Sequence, residues 1–404
     1  MGEKIVLIAP AIRRYDWGTQ DVIAGLLGAA GPEKIAEAWF GAHPLAPAHV
    51  EGCETPLDAW LGSEQLPYLL KLLSASRPLS IQVHPNIEQA RAGFAREEAL
   101  GVPRAARNRS YRDESDKPEL MLALTPFEAL VGLRPLPEVV ALLAGLGELR
   151  ALAPQPEAEP AAVRAWLGRW LSAREEQRRT ILAAVADALD ALPVPEANRD
   201  LFRELRLTAH DADPGLLFVL LMRRLVLQPG EAIYLPAGCV HAYVRGTGIE
   251  VMASSDNVVR AGLTSKHIDT AEFLRIADLK SPVPAILSGR STVDGRERLY
   301  DTPARAFELS VLTLTSGQRI ARRASSRETL LNIGEGTIIG RGDGGEVRLG
   351  RGQACVVPAG VELRLTAERD ATCVRVTVPP SHGSSRSISA GQVDQPGSLD
   401  GAAA

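Results

Sequence analysis

The spacing of apolar residues divides the chain into strand-rich and helix-rich parts. Up to about residue 135, short extended-looking runs are broken by Gly, Pro and Asn, which is typical of β-strands. The run 66–73 is apolar almost throughout, and its short length before a turn-like segment at 74–78 favours a buried strand over a helix. Strand-like segments resume at 224–226 and 232–235 and persist with interruptions to about residue 380.

The pattern changes between about residues 136 and 215. Stretches 160–171 and 175–192 are rich in Ala, Leu, Glu and Arg, with apolar residues three and four positions apart. This spacing predicts amphipathic helices, preceded by an Ala-, Pro- and Glu-rich loop at 153–160. The chain is therefore predicted to be mainly β with a helical insertion.

A short internal repeat indicates that the β-structure is duplicated. Residues 230–238 and 352–360 both read Gly-x-Ala-x-x-x-Pro-Ala-Gly, a strand between two turns. The two copies lie in similar positions within two β-rich segments, which favours two β-barrels over a chance match. The copies then differ, because His241 follows the first whereas Leu363 occupies the equivalent place after the second. Any metal site that uses His241 therefore has no counterpart in the second barrel.

These patterns predict four parts. Residues 1–135 and 216–285 form one discontinuous β-domain, which carries the chemistry, and residues 136–215 form a helical insertion. Residues 286–380 form a second β-domain without metal ligands. Residues 381–404 are rich in Ser, Gly and Ala with few apolar anchors and are predicted to be a disordered tail.

Composition excludes several classes of protein. The 404 residues are 45% hydrophobic with a formal net charge of -4, and Lys and Arg are not clustered, which argues against nucleic-acid binding. No apolar run is long enough to cross a membrane, and no signal peptide is evident. The four cysteines are widely scattered and are predicted to be reduced thiols, so the cytoplasm is the expected compartment.

Two residues on one predicted strand are candidate metal ligands. Side chains alternate between the faces of a strand, so Gln82 and His84 share one face. His241 and Glu119 offer two further ligands, and the four together make an N/O set suited to zinc or another divalent cation. A single carboxylate leaves the site net positive, which favours Lewis-acid chemistry over a structural role.

The segment 248–269 is a second concentration of polar residues. It contains Glu250, Arg260 and Lys266 among short apolar residues. These charges are compatible with a simple loop network. Beside a metal site, Arg260 and Lys266 are instead candidates for binding an anionic substrate such as a phosphate.

Several motifs in this order resemble the type I mannose-6-phosphate isomerases, zinc enzymes of the cupin superfamily. The matching segments are Tyr15-Asp16-Trp17-Gly18, residues 37–44 and 66–85, Lys117-Pro118-Glu119-Leu120, and residues 235–269. The resemblance covers most of residues 10–270 and is looser beyond them. It implies two cupin-type jelly-roll barrels plus an α-helical domain.

The resemblance also implies roles for individual residues. Gln82, His84, Glu119 and His241 fall on the family's four zinc-ligand positions, with one Zn²⁺ per chain, and Arg260 falls on its catalytic arginine. Lys266 and Glu250 are further catalytic candidates. Four residues are expected to bind substrate: Lys117, Tyr243, Ser80 and Trp17. The chain departs from the family where Ser115-Asp116 replaces an Asn-His pair.

The implied reaction is the interconversion of mannose 6-phosphate and fructose 6-phosphate through an enediolate. The protein is expected to be a monomer. Its only expected partner is a small sugar phosphate, with no nucleic acid and no membrane. Glu250, Lys266 or a metal-bound water is the candidate proton carrier. Two alternatives remain open: another cupin metalloenzyme such as an oxygenase, or an inactive sugar-phosphate-binding regulator, for which the Ser115-Asp116 departure is the best support.

Overall fold

A computed structural model describes residues 4–28, 33–53, 55–144, 160–280, 283–343 and 345–380. The predicted tail at 381–404 and nearly all of the predicted loop at 153–160 lie outside these ranges. The described chain is mainly β with a helical part, which confirms the fold class predicted from the sequence. None of its helices is long and apolar enough to cross a membrane.

The first group of strands forms an eleven-stranded sheet within the described residues. Its strands are β2 (Ala11–Arg13), β5 (Glu37–Phe40), β7 (Tyr68–Ala75), β8 (Ile81–Val83), β9 (Glu119–Ala123), β10 (Phe127–Leu133), β11 (Met222–Leu227), β12 (Ala232–Leu235), β13 (His241–Ala253), β14 (Val259–Gly262) and β15 (Ile286–Leu287).

The long strand β13 joins the two halves of this sheet. Its first residues pair with β8 and β10, and its later residues pair with β7 and β9. Apolar side chains from both halves, including Met121, Phe127 and Leu235, pack together between them. The sheet therefore closes around a core as a jelly-roll barrel does.

A second group of strands forms an eight-stranded and a four-stranded sheet. The larger contains β1 (Val6–Ala9), β6 (His49–Val50), β16 (Arg290–Ser291), β17 (Glu297–Tyr300), β18 (Glu308–Leu314), β20 (Glu328–Asn332), β23 (Ala354–Val357) and β25 (Ala371–Thr377). The smaller contains β19 (Arg319–Arg323), β21 (Ile338–Gly342), β22 (Gly345–Leu349) and β24 (Glu362–Ala367). Two short strands, β3 (Thr19–Gln20) and β4 (Lys34–Ile35), pair separately.

The second group repeats the pairing order of the first. β17, β18, β25, β20 and β23 are neighbours in the order that β5, β7, β13, β9 and β12 follow. Likewise β19–β24–β21–β22 matches β8–β13–β10–β11. The repeated Gly-x-Ala-x-x-x-Pro-Ala-Gly segments contain the equivalent strands β12 and β23.

Most of the described helices lie in the part of the chain between β10 and β11 of the first barrel. Their bounds are Val22–Leu26, Leu57–Leu61, Ile87–Ala99, Leu136–Ala144, Pro160–Leu171, Glu175–Asp187, Glu196–Thr208, Gly215–Leu221 and Thr270–Ile276, with a 3₁₀ turn at Leu189–Ala191.

The helical core packs directly against the strand that carries the first two candidate ligands. Ile81 and Val83 of β8 belong to the same buried cluster as Trp166, Trp170 and Phe218 of the helices. The apolar face of β8 therefore anchors it to the helical part, as the strand alternation predicts, and Gln82 and His84 face the other way.

The sequence reading missed one long helix and overextended another. Ile87–Ala99 lies in a part of the chain read as strands, although Asn86 and Gln89 form a capping box that marks its start. The helix predicted over 175–192 ends at Asp187 and continues as the 3₁₀ turn.

The domain boundaries remain predictions. β1 belongs to the sheet of the second barrel, and β15 pairs with β12 of the first.

Candidate metal and substrate site

Strand register brings the four predicted metal ligands together. Gln82 of β8 lies directly opposite His241, the first residue of β13. Glu119, the first residue of β9, lies opposite Leu235 and Met252. His84 follows immediately after β8 on the same face as Gln82. Three strands and one strand end therefore direct side chains to one point.

The side-chain atoms lie close enough together to bind one metal ion. Glu119 Oε1 is 3.2 Å from His84 Nε2, and Glu119 Oε2 is 3.2 Å from His241 Nε2. The Gln82 amide is 3.3 Å from His241 Nε2. His84, Glu119 and His241 are each at most 2% exposed, and their ligand atoms lie within 4.8 Å of one another.

Backbone carbonyls orient both imidazoles. His84 Nδ1 lies 2.7 Å from the Asn257 carbonyl oxygen, and His241 Nδ1 lies 3.0 Å from the Cys239 carbonyl oxygen. Because a carbonyl only accepts, each Nδ1 carries the proton and donates it. Each Nε2 then directs a lone pair into the cluster, which is how metal-bound histidines are commonly held.

The electrostatics of the cluster fit a bound cation. Burial lowers the pKa of His84 to about 4, so its imidazole is neutral near pH 7. Burial opposes ionisation of Glu119, but the Lys117 ammonium beside it helps to hold the pKa of this carboxyl well below its usual range. His84 Nε2 and Glu119 Oε2 are buried without an aligned hydrogen bond. A divalent cation would satisfy both atoms, and half a turn of the Gln82 amide would present its oxygen as well.

Two lysines neutralise the carboxylates around the cluster. Lys117 Nζ is 3.1 Å from Glu119 Oε1. Lys71 Nζ is buried and lies 2.8 Å from Glu250 Oε2 and 3.4 Å from Glu37 Oε1. Burial raises the pKa of Glu250, and Lys71 opposes this shift. The Tyr243 hydroxyl is buried, and burial together with Glu250 and Glu119 raises its pKa.

Three cations lie on one side of this cluster. Arg260 of β14 lies opposite Gln82, so both side chains share one face of the sheet. Burial and the charge of Arg112 lower the pKa of Arg260, and burial, Arg260 and Arg112 lower that of Lys266. Among the described residues, neither Arg112, Arg260 nor Lys266 forms an ion pair with a carboxylate. Uncompensated positive charge of this kind favours an anionic ligand.

A buried amide and a half-buried carboxylate fix the loops that carry these groups. The Asn257 side chain accepts hydrogen bonds from the backbone of Arg112 and Asp113 and donates to the carbonyl oxygens of Asp113 and Ser115. The Asp113 carboxylate accepts from the Ser255 hydroxyl and the Asp256 backbone. The backbone carbonyl of Asn257 also accepts a hydrogen bond from His84. One network therefore connects the metal cluster to the loop that carries Arg112.

The remaining predicted residues lie at the edge of the cluster. Ser80 Oγ is 3.4 Å from Gln82 Oε1. Trp17 stacks on Tyr15 and packs against the apolar group that contains Tyr243. Asp116, where the chain departs from its family, is half-buried, and burial raises its pKa.

The sequence reading missed several residues of this site. Lys71 neutralises Glu250 and also contacts Glu37. Arg112 is a third cation beside Arg260 and Lys266. Asn257 and Asp113 connect the loops by hydrogen bonds. One signal was available, since Lys71 is the only charged residue in the apolar run 66–73.

Comparisons with known proteins agree with this arrangement. The family model for the phosphomannose isomerase type I catalytic domain matches residues 5–136. Mannose-6-phosphate isomerase of Escherichia coli K12 is 33% identical over 81% of this chain and 88% of its own length. Mannose-6-phosphate isomerase 2 of Arabidopsis thaliana is 30% identical over 91% of this chain and 92% of its own.

A solved structure is similar as well. It is the Salmonella typhimurium mannose 6-phosphate isomerase bound to the substrate fructose 6-phosphate and zinc, with a TM-score of 0.82 and 30% identity over 93% of this chain and 99% of that one. Fold and site together define a cupin-type barrel protein with a candidate metal centre. The chain belongs to the type I phosphomannose isomerase family.

Replacing Asn257 with Ala should weaken zinc binding about 10-fold, because its side chain fixes the backbone that orients His84. Isothermal titration of the metal-free protein with zinc measures this. Asn332→Ala is the matched control, since Asn332 is also buried and donates two hydrogen bonds to carbonyls, but in the second barrel. Equal zinc affinity in both variants would contradict the role of Asn257.

Proposed function

We propose that this chain is a zinc-dependent isomerase that interconverts mannose 6-phosphate and fructose 6-phosphate. The observation that carries the proposal is a cluster of the buried residues His84, Glu119 and His241 with half-buried Gln82. It lies beside three cations without ion-pair partners among the described residues. Membership of the phosphomannose isomerase family supplies the reaction. We further propose one Zn²⁺ per chain, a monomer, and a cytoplasmic location.

The reaction moves a proton between C1 and C2 of the open-chain sugar. Removing the C2 proton of the aldose leaves an enediolate; a proton moves from O2 to O1, and protonation at C1 gives the ketose. When bound, zinc supplies a Lewis acid that polarises the oxygens on these carbons. The protein must then bind the phosphate, stabilise the enediolate charge and carry the proton.

We assign the phosphate to Lys266 and Arg112. Both are cationic, neither forms an ion pair with a carboxylate among the described residues, and Lys266 is exposed. An ammonium and a planar guanidinium both suit phosphate oxygens.

Arg260 is suited to stabilise the enediolate. Its side chain lies on the same sheet face as Gln82, and its Nε is buried without a hydrogen-bond partner. A fixed donor that is poorly solvated interacts strongly with charge that develops only during the reaction. Lys117 and Tyr243 would contact the sugar oxygens, with Ser80 and Trp17 at the edge.

Glu250 is our candidate for the proton carrier. It is buried on β13 two strand positions from Met252, which lies opposite Glu119, and burial raises its pKa. A raised pKa brings a carboxyl closer to the pH at which a general base is efficient. The Lys71 ammonium fixes the orientation of its carboxylate.

Replacing Arg260 with Ala should lower kcat by about 100-fold or more while one zinc per chain is retained, because a transition-state donor is lost but no metal ligand. A coupled assay with mannose 6-phosphate and elemental analysis of the same sample measure both quantities. Arg290→Ala removes a guanidinium that pairs with Asp301 on the surface and is the control. Full turnover with bound zinc in the Arg260 variant would refute the role.

Replacing Lys266 or Arg112 with Ala should raise KM for mannose 6-phosphate by about 10- to 100-fold with a smaller change in kcat, since charge-assisted phosphate contacts are lost. The same variants should leave any turnover of unphosphorylated mannose unchanged. Steady-state kinetics on both sugars make the comparison. An equal loss on both would place these residues elsewhere than at the phosphate.

A further inference from the structure

The equivalent pairing of the two barrels allows each residue of the metal cluster to be matched to a residue of the second barrel. His241 lies opposite Gln82, and its repeat equivalent Leu363 lies opposite Arg322. Arg322 therefore occupies the position of Gln82. Two residues later, Ala324 occupies the position of His84.

The carboxylate of the cluster has a counterpart as well. Glu119 lies opposite Leu235 of the first repeat, and Glu328 lies opposite Val357 at the same place in the second. Glu328 is completely buried, as Glu119 nearly is. The second barrel thus keeps the acidic ligand and loses both imidazoles, since Ala324 and Leu363 have no lone pair to offer.

Two of the surrounding charged positions are charged in the second barrel as well, one of them with the opposite sign, whereas Ser310 stands at the position of Lys71. By the same register, Glu297 stands at the position of Glu37, and Arg375 stands at the position of Glu250. The first barrel has a carboxylate at this last position and the second a guanidinium.

The two arginines of the second barrel converge on these carboxylates. Arg375 Nε is 2.7 Å from Glu328 Oε2, and Arg375 Nη1 is 3.5 Å from Glu297 Oε1. Arg322 Nε is 3.6 Å from Glu328 Oε1, and Arg322 Nη1 is 3.5 Å from Glu297 Oε1. Glu308 lies 3.9 Å from Arg375 at the edge of the cluster.

We propose that this cluster is the second barrel's counterpart of the metal site, in which the guanidinium of Arg322 takes the place of the divalent cation. The Arg322 side chain starts at the position equivalent to Gln82 and reaches Glu328, at the position equivalent to Glu119. Its guanidinium therefore lies where the first barrel would hold its metal. A buried carboxylate requires a cation nearby, and here the chain supplies that cation itself. The buried carboxylates of the second barrel are therefore charge-compensated without a metal, because a guanidinium occupies the place that a metal would take.

Restoring the ligands should reopen the site. The variant Arg322→Gln/Ala324→His/Leu363→His recreates the Gln, His, Glu, His set around Glu328. Elemental analysis at saturating zinc should then give about two zinc ions per chain instead of about one. Adding Glu328→Gln as the matched control should weaken binding of the second zinc about 10-fold or more. A folded variant that holds only one zinc would overturn the proposal.

A single substitution tests the same claim if the triple variant does not fold. Arg322→Gln leaves Glu328 and Glu297 with one arginine, so Tm should fall by about 5–10 °C. The double variant Arg322→Gln/Glu328→Gln should recover most of this loss because the unpaired charge is gone. Arg364→Gln is the control. Arg364 follows Leu363, the residue opposite Arg322 on the paired strand, and is largely exposed. A Tm of Arg322→Gln equal to that of the control would overturn the proposal.

The proposal uses the metal cluster of the first barrel as its template, and the two can fail separately. Isomerase activity and the first zinc belong to Gln82, His84, Glu119 and His241, none of which changes in these variants. Activity therefore reports on the proposed function, while the second zinc and the Tm report on the second barrel.

Discussion

The structure depends on the cost of burying carboxylates inside a β-barrel. Glu119 and Glu250 of the first barrel and Glu328 of the second are each at most 3% exposed. An ionised carboxylate removed from water is strongly unfavourable unless a cation compensates it. Lys71, Lys117 and the candidate metal do so in the first barrel, and arginines do so in the second. In the first barrel, the carboxylates are therefore compensated in part by a candidate metal that can act as a Lewis acid. In the second barrel, arginine side chains of the chain itself neutralise them.

The strand β8 connects this constraint to the fold. Its apolar face, Ile81 and Val83, is fully buried against the helical core, while its other face presents Gln82 and His84 to the metal cluster. A ligand pair on a strand packed on both sides loses little freedom when a cation binds, which favours a preorganised site. The helical part thus contributes to the site by holding this strand, although it provides none of the four ligands.

Local patterns were enough to predict part of this arrangement. Strand alternation predicted that Gln82 and His84 share a face, the internal repeat predicted equivalent strands, and helical spacing predicted Pro160–Leu171. The helix Ile87–Ala99 was missed because its apolar periodicity is weak and its capping box was overlooked. Lys71, Arg112 and Asn257 were missed for another reason. Their partners lie far away in sequence, and only the pairing of β7, β8 and β14 with β13 and its neighbours brings them together.

The central claim is that one zinc at the first barrel makes the chain an isomerase. The most direct measurement is to remove metal with a chelator, return zinc in fractions of one equivalent, and follow bound zinc and conversion of mannose 6-phosphate together. We expect activity to disappear without metal and to rise in proportion to bound zinc until about one ion per chain is reached. Activity that survives complete removal of metal, or that stays absent once zinc is bound, would contradict the account.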